Sequence, residues 1–197
     1  MSRSPVDGAS ADPSQSYLDS WGELAGLIRK GRSFSGKERN CCFLNTRQGR
    51  FADVSSVTGL DHIDDGRTVA LSDWDRDGDL DLWLASRTGP RLRFMRNGLG
   101  ADTRSIAFRL RGDPEMGCSR DAIGARVELT LGRKETASRI RTLYAGDGYL
   151  SQSSKWVHFG LGEEDTIRQV SVRWPGSRKP ELYQGARAGG RYLLSQG

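Results

Sequence analysis

Long apolar runs are missing from this 197-residue chain. That excludes a transmembrane helix, which needs about 20 consecutive apolar residues. The first residues hold no apolar stretch of the secretory kind, so on sequence grounds alone the chain is expected in the cytoplasm. Cysteine is scarce: Cys41, Cys42 and Cys118. With no C-x-x-C pair and no Cys/His spacing, a zinc site is excluded. Neighbouring strand residues face opposite ways, which argues against a Cys41–Cys42 bridge, while a bridge from either to Cys118 stays open. Free, mostly buried thiols are the expectation, and they suit a reducing compartment. Only two histidines occur, His62 and His158. There is no Gly-x-Ser-x-Gly elbow, so serine hydrolysis has no support. Gly146-Asp147-Gly148 lacks the lysine and following helix of a phosphate loop.

Acidic charge is also in deficit, but unevenly. Residues 1–100 hold 14 basic and 14 acidic side chains, while the remainder holds 16 against 11. Such a surplus can signal a nucleic-acid partner. Here the arginines are spread along alternating segments and not interleaved with aromatics, which favours solvated strand faces over nucleic acid. The 25 glycines and the short alternating runs between turn residues predict a mainly β protein.

What the chain does have is one concentrated acidic loop, Asp73-Trp74-Asp75-Arg76-Asp77-Gly78-Asp79-Leu80-Asp81. Five carboxylates on alternate residues repel one another unless a cation sits among them. The spacing matches the front of a calcium loop: side-chain oxygens at positions one, three and five, glycine at six, a backbone carbonyl at seven. The ligand assignment is therefore Asp73, Asp75, Asp77 and Asp81 through carboxylates and Asp79 through its carbonyl. Position twelve is Leu84, not Glu, so the loop is not an EF-hand. Val69 and Leu71 before the loop, and Leu82 and Leu84 after it, alternate as strands do. All-oxygen ligands favour a hard ion, Ca2+ ahead of Mg2+.

The rest falls into three parts. Residues 1–18 are rich in Ser, Pro and Asp and read as a disordered leader. Residues 19–104 open with a short helix, capped by Asp19 or Ser20 and striped by Trp21, Leu24, Leu27 and Ile28. Four or five short strands around the acidic loop follow, forming a propeller-blade-like antiparallel sheet. Residues 105–197 alternate over six or seven further strands, predicting a small β-sandwich. The fold class expected is thus all-β with one N-terminal helix.

Specific runs carry a resemblance. Arg120-Asp121-Ala122-Ile123-Gly124-Ala125-Arg126-Val127, then Ala145-Gly146-Asp147-Gly148-Tyr149-Leu150-Ser151-Gln152-Ser153, then His158-Phe159-Gly160-Leu161-Gly162 and Val172-Arg173-Trp174-Pro175-Gly176 follow in order. Together they resemble the ASPIC/UnbV domain. Arg39-Asn40-Cys41-Cys42-Phe43-Leu44-Asn45 and the 73–81 loop resemble the FG-GAP/VCBS repeat. Both accompany one another in proteins similar to the cartilage acidic protein 1 (CRTAC) group and in bacterial relatives. The resemblance implies a calcium-binding propeller followed by a small β domain, extracellular and tied to adhesion. One loop instead of several departs from a complete propeller. A lone blade leaves strand edges open, which predicts a homo-oligomer or docking to a larger partner.

Two functions compete at this point. The first is a calcium-binding interaction module for a protein or carbohydrate ligand, with Trp74 and Arg120 as candidate contacts. The second is a small calcium-dependent enzyme, a cyclase or hydrolase of a biosynthetic pathway acting on a small-molecule substrate. Asp121, Asp147 and His158 would then be acid and base, and Arg120 a carboxylate binder. The blander reading of His158 is a histidine holding a backbone carbonyl. Arg120 and Asp121 also read as a buried pair pinning a turn. Trp156 and Trp174 read as core. His62, beside Asp61, Asp64 and Asp65, marks a second place for a cation to gather ligands. A deep pocket collecting Asp121, Asp147 and His158 separates catalysis from binding.

Overall fold

The structure, a computed structural model, describes residues 13–30, 32, 38–87, 89–98, 104–132 and 137–197. Most of the expected leader lies outside these residues. The chain divides into two compact units, residues 1–65 and 66–197.

In the first unit α1 spans Pro13–Arg29. The helix thus starts six residues ahead of the cap predicted at Asp19. Proline suits a first helical turn, where its missing N–H is no loss. Gln15 Nε2 then donates to Asp19 Oδ1 at 3.1 Å, one turn on, so Asp19 serves inside the helix. Four short strands follow: β1 (Glu38–Arg39), β2 (Phe43–Asn45), β3 (Phe51–Asp53) and β4 (Ile63–Asp64). They pair as two separate antiparallel ribbons, β1 with β4 and β2 with β3. Ser55 knits the β2–β3 ribbon: its hydroxyl accepts the Cys42 N–H at 2.8 Å and donates to Asp53. Cys41 is exposed and only Cys118 is buried; all three cysteines are free thiols.

The second unit begins with β5 (Gly66–Ser72), β6 (Asp81–Ser86) and β7 (Leu92–Met95), an antiparallel sheet in that order. Its outer edge on β5 is partly covered: Leu71 N–H donates to Ser153 Oγ at 3.1 Å, and Leu71 O accepts the Ser154 N–H at 2.8 Å. Seven more strands form two layers. One is β10 (Ala137–Thr142), β9 (Arg126–Leu131), β12 (Ile167–Arg173), β13 (Glu181–Tyr183), in that spatial order. The other is β11 (Trp156–Gly162), β8 (Arg104–Arg111), β14 (Arg191–Ser195). A 3-10 turn at Pro114–Met116, capped by Asp113, follows β8.

The core lies between these two layers. Val127, Leu129 and Leu131 from β9, Val170 and Val172 from β12, and Ile106, Phe108 and Leu110 from β8 meet Val157, Phe159 and Leu161 from β11. Period-two alternation put these residues on one face. Trp174 is wholly buried, as predicted, but Trp156 is not part of the core. Val157 and Phe159 take the inner face of β11, so Trp156 and His158 must point outward. Among the described residues the protein is all-β apart from α1 and the 3-10 turn.

Candidate metal centre

β5 and β6 form a hairpin whose tip is the acidic loop. The loop turns on its own carboxylates. Asp77 N–H donates to Asp75 Oδ1 at 3.3 Å, and Asp79 N–H to Asp77 Oδ1 at 3.0 Å. These bonds aim successive carboxylates inward, and ligand oxygens of Asp73, Asp75 and Asp77 lie within 4.8 Å of one another. Among the described residues this is the only such gathering, so the residues around His62 do not make a second one.

Asp81 has another task. It is fully buried, and its two oxygens accept the N–H groups of Trp74 at 3.0 Å and Asn97 at 2.9 Å. It closes the base of the loop and ties it to the chain leaving β7. It is not among the three clustered carboxylates. The sequence marked Asp81 as a carboxylate of the right spacing; the amides that engage it come from backbone positions that no side-chain pattern reveals.

Two arginines balance the cluster. Arg96 Nε donates to Asp75 Oδ2 at 2.7 Å, and its Nη2 lies 3.5 Å from Asp77 Oδ2. Burial alone would raise the Asp75 pKa, but the Asp77 N–H and Arg96 outweigh it and hold it below the usual value. Arg191 Nη1, from the last strand, donates to Asp73 Oδ2 at 2.7 Å. The Asp73 side chain is only 9% exposed. Its other oxygen, Oδ1, is buried and has no hydrogen-bond partner. A buried, unpaired carboxylate oxygen is costly, and a bound cation is the natural remedy.

The loop rests on the outer face of the β11–β8–β14 layer. Strand register places His158, Ala107 and Arg191 in one row across it. His158 Nε2 lies 2.7 Å from Gly78 O. A carbonyl only accepts, so Nε2 carries the proton and donates. Gly78 has φ +97°, and a Cβ there would stand 2.8 Å from Ser105 Oγ. Arg191 also sits over the Trp156 ring, 4.2 Å from its centroid. The outward Trp156 is thus a platform for the arginine that reaches Asp73. Neither His158 nor Arg191 was assigned to the loop from sequence. Arg191 stands 118 residues from Asp73, and only the packing joins them.

Of the residues proposed for catalysis, Asp147 and His158 share a cavity and Asp121 does not. Asp147 and His158 line one cavity of about 120 Å3 together with Arg141, Tyr144 and Trp156. Asp147 Oδ1 accepts the Ser153 N–H at 2.9 Å and shapes that turn. Asp121 lines a different, open concavity with Arg109, Arg111 and Arg120. Its carboxylate binds Lys155 and, at 3.7 Å, Arg109. The Lys155 hydrogen bond, with the charges of Lys155 and then of Arg109 and Arg120, lowers its pKa. Asp121 therefore pairs with Lys155, not in a buried pair with Arg120; Arg120 and Asp121 are both exposed. Trp74 is 65% exposed and stands edge-on to Trp83, ring centroids 5.3 Å apart, with Phe94 next at 4.5 Å.

Residues 115–197 match the family model described as ASPIC and UnbV. The match covers the larger part of the two-layer sandwich, and the four ordered runs lie inside it or begin with it. Among characterised proteins, cartilage acidic protein 1 of Homo sapiens is 33% identical over 116 residues, 57% of this chain and 16% of that protein. Cartilage acidic protein 1 of Xenopus tropicalis is 40% identical over 57 residues, 28% of this chain and 9% of that protein. The chain thus spans at most about a sixth of the length of these relatives.

Proposed function

We propose that this chain is a calcium-binding, β-rich interaction module in which the ion locks an FG-GAP/VCBS-like hairpin onto the ASPIC/UnbV sandwich. One observation carries the reading: Asp73, whose Oδ1 is buried and without a partner, offers a carboxylate oxygen within 4.8 Å of those of Asp75 and Asp77. Asp73, Asp75 and Asp77 would hold the ion by their side chains, and Asp79 by its carbonyl. The bound ion supplies positive charge that relieves the repulsion among them. The protein's own residues do the rest. Arg191 and His158 hold the loop against β8, β11 and β14, and Asp81 closes its neck.

Binding is favoured over catalysis. His158 spends its Nε2 proton on Gly78, Asp147 spends an oxygen on Ser153, and Asp121 belongs to another surface. Asp147 and His158 line one cavity, but each is engaged by a backbone group of a neighbouring loop. The test is thermal unfolding of the chain with calcium, with magnesium and with a chelator. A site filled at a hundredfold over its dissociation constant stabilises by about 2.7 kcal/mol, which appears as a rise of several degrees in Tm. The rise should be specific to calcium and absent from Asp75→Ala. No shift with any divalent ion would end the proposal.

A further inference from the structure

The cluster is short of ligands. Calcium takes about six to eight oxygens. Asp73, Asp75 and Asp77 would supply carboxylates and Asp79 a carbonyl, while Asp81 stands outside the clustered carboxylates and position twelve is Leu84. A groove of about 300 Å3 adjoins the cluster. Asp73 and Asp77 form part of its wall, and Arg76, Arg104 and Arg191 flank it. Its floor is made of small residues, Ala107 and Gly189 among them. Asp73, whose Oδ2 pairs with Arg191 and whose Oδ1 has no partner, belongs to this wall.

We infer that this groove receives a carboxylate side chain, Asp or Glu, from an acidic segment of a partner protein, and that this carboxylate completes the coordination of the loop's cation. The inference rests on the calcium reading above and names the partner chemistry of the same site. A divalent ion would balance two of the three clustered carboxylates, and the guanidinium groups of Arg76, Arg104 and Arg191 line the same groove. Arg76 is exposed and makes no ion pair with a described residue. Arg104 is held in place by Glu163 O at 3.0 Å and Asp165 at 3.4 Å. A carboxylate arriving there meets the ion and arginine donors in fork geometry. The small floor residues let it approach without a clash. A sugar acid is less well served. No aromatic ring lines the groove to take the face of a pyranose, and Arg191 covers Trp156. The net charge of +5 steers an acidic partner toward the chain.

Terbium luminescence tests this directly. Terbium replaces calcium in oxygen sites, nearby Trp74 sensitises it, and lifetimes in H2O and D2O count its bound waters. The probe is a capped Gly-Gly-Asp-Gly-Gly peptide, its Asn counterpart being the control. The Asp peptide should remove at least one water from terbium on the full chain, and the Asn peptide none. In Arg76→Ala/Arg104→Ala, terbium affinity should hold while the peptide binds about tenfold more weakly. Terbium binding with no water lost to the Asp peptide overturns this inference and leaves the calcium reading standing. Failure of terbium and calcium to bind at all overturns both. Peptide binding that persists without any ion overturns the inference. So does water displacement by oligogalacturonate and not by the Asp peptide, which would assign the groove to an acidic sugar.

Discussion

Replacing Arg191 by methionine isolates the strongest joint between the loop and the sandwich. The substitution keeps an unbranched chain over Trp156 but removes the guanidinium. Asp73 then loses a 2.7 Å charged hydrogen bond while its carboxylate stays 9% exposed. A hydrogen bond to a charged group contributes about 1.5–3 kcal/mol, the upper part applying when the partner is left buried. The lost contact with Trp156 adds about 0.5–1 kcal/mol. In chelator the variant should therefore be less stable by about 2–4 kcal/mol. For a unit of this size that is a fall in Tm on the order of 6–14 °C. Saturating calcium changes the expectation. The ion then supplies the positive charge facing Asp73, and the loss should shrink to about 1 kcal/mol. The assay is a pair of melting curves for wild type and variant, with chelator and with calcium, extended by Asp73→Asn in a double-mutant cycle. Equal losses in both conditions would refute the coupling between Arg191 and the ion. No loss in chelator would refute the placement of Arg191 against Asp73.

Three further outcomes follow from the same geometry. Gly78→Ala should destabilise by about 1–2 kcal/mol, because φ +97° is a left-handed conformation that alanine resists; its calcium affinity should fall in the same titration. Asp75 and Asp121 have pKa values held below their ordinary ones in the folded chain. Their stabilisation is complete above about pH 4 and is lost as pH falls through the lowered values. Metal-free melting temperatures should drop on acidification, and less so in Asp121→Asn. Thiol titration should find Cys41 reactive in the native state and Cys118 protected, since Cys118 is buried and burial raises its pKa; equal rates for both would contradict the core placement of Cys118.

Local pattern carried much of the fold. Alternation marked β8, β9, β11 and β12 because each has one face in the core, and burial follows the pattern: β9 alternates strictly over Val127, Leu129 and Leu131. The loop was legible for a similar reason. Its carboxylates fall on alternate residues of one short stretch, and their spacing is dictated by the turn itself. Trp156 was misread because a large aromatic on an alternating strand has the same signature whether its face meets a core or a covering loop. Only the partner face decides. β13 and the 3-10 turn at Pro114–Met116 have too few residues to show a period.

What sequence hid is the part that gives the loop its setting. The Asp81 carboxylate was legible from its spacing, but the Trp74 and Asn97 amides that engage it were not. Arg191 looked like one of many scattered arginines. Its meaning depends on β14 running parallel to β8, which puts Arg191 beside Ala107 and so beneath the loop. A long-range ion pair of this sort leaves no trace in spacing. It also explains why the hairpin and the sandwich belong to one unit. The small residues Ser105 and Ala107 leave room for the loop, His158 and Arg191 grip it from either side, and Leu71 shares its edge with Ser153 and Ser154. A cation in the loop would act on these contacts together. Its removal should loosen the seam before it unfolds the core, so amide exchange at Gly78 and Leu71 should respond to chelator well before exchange at Val127 or Phe159.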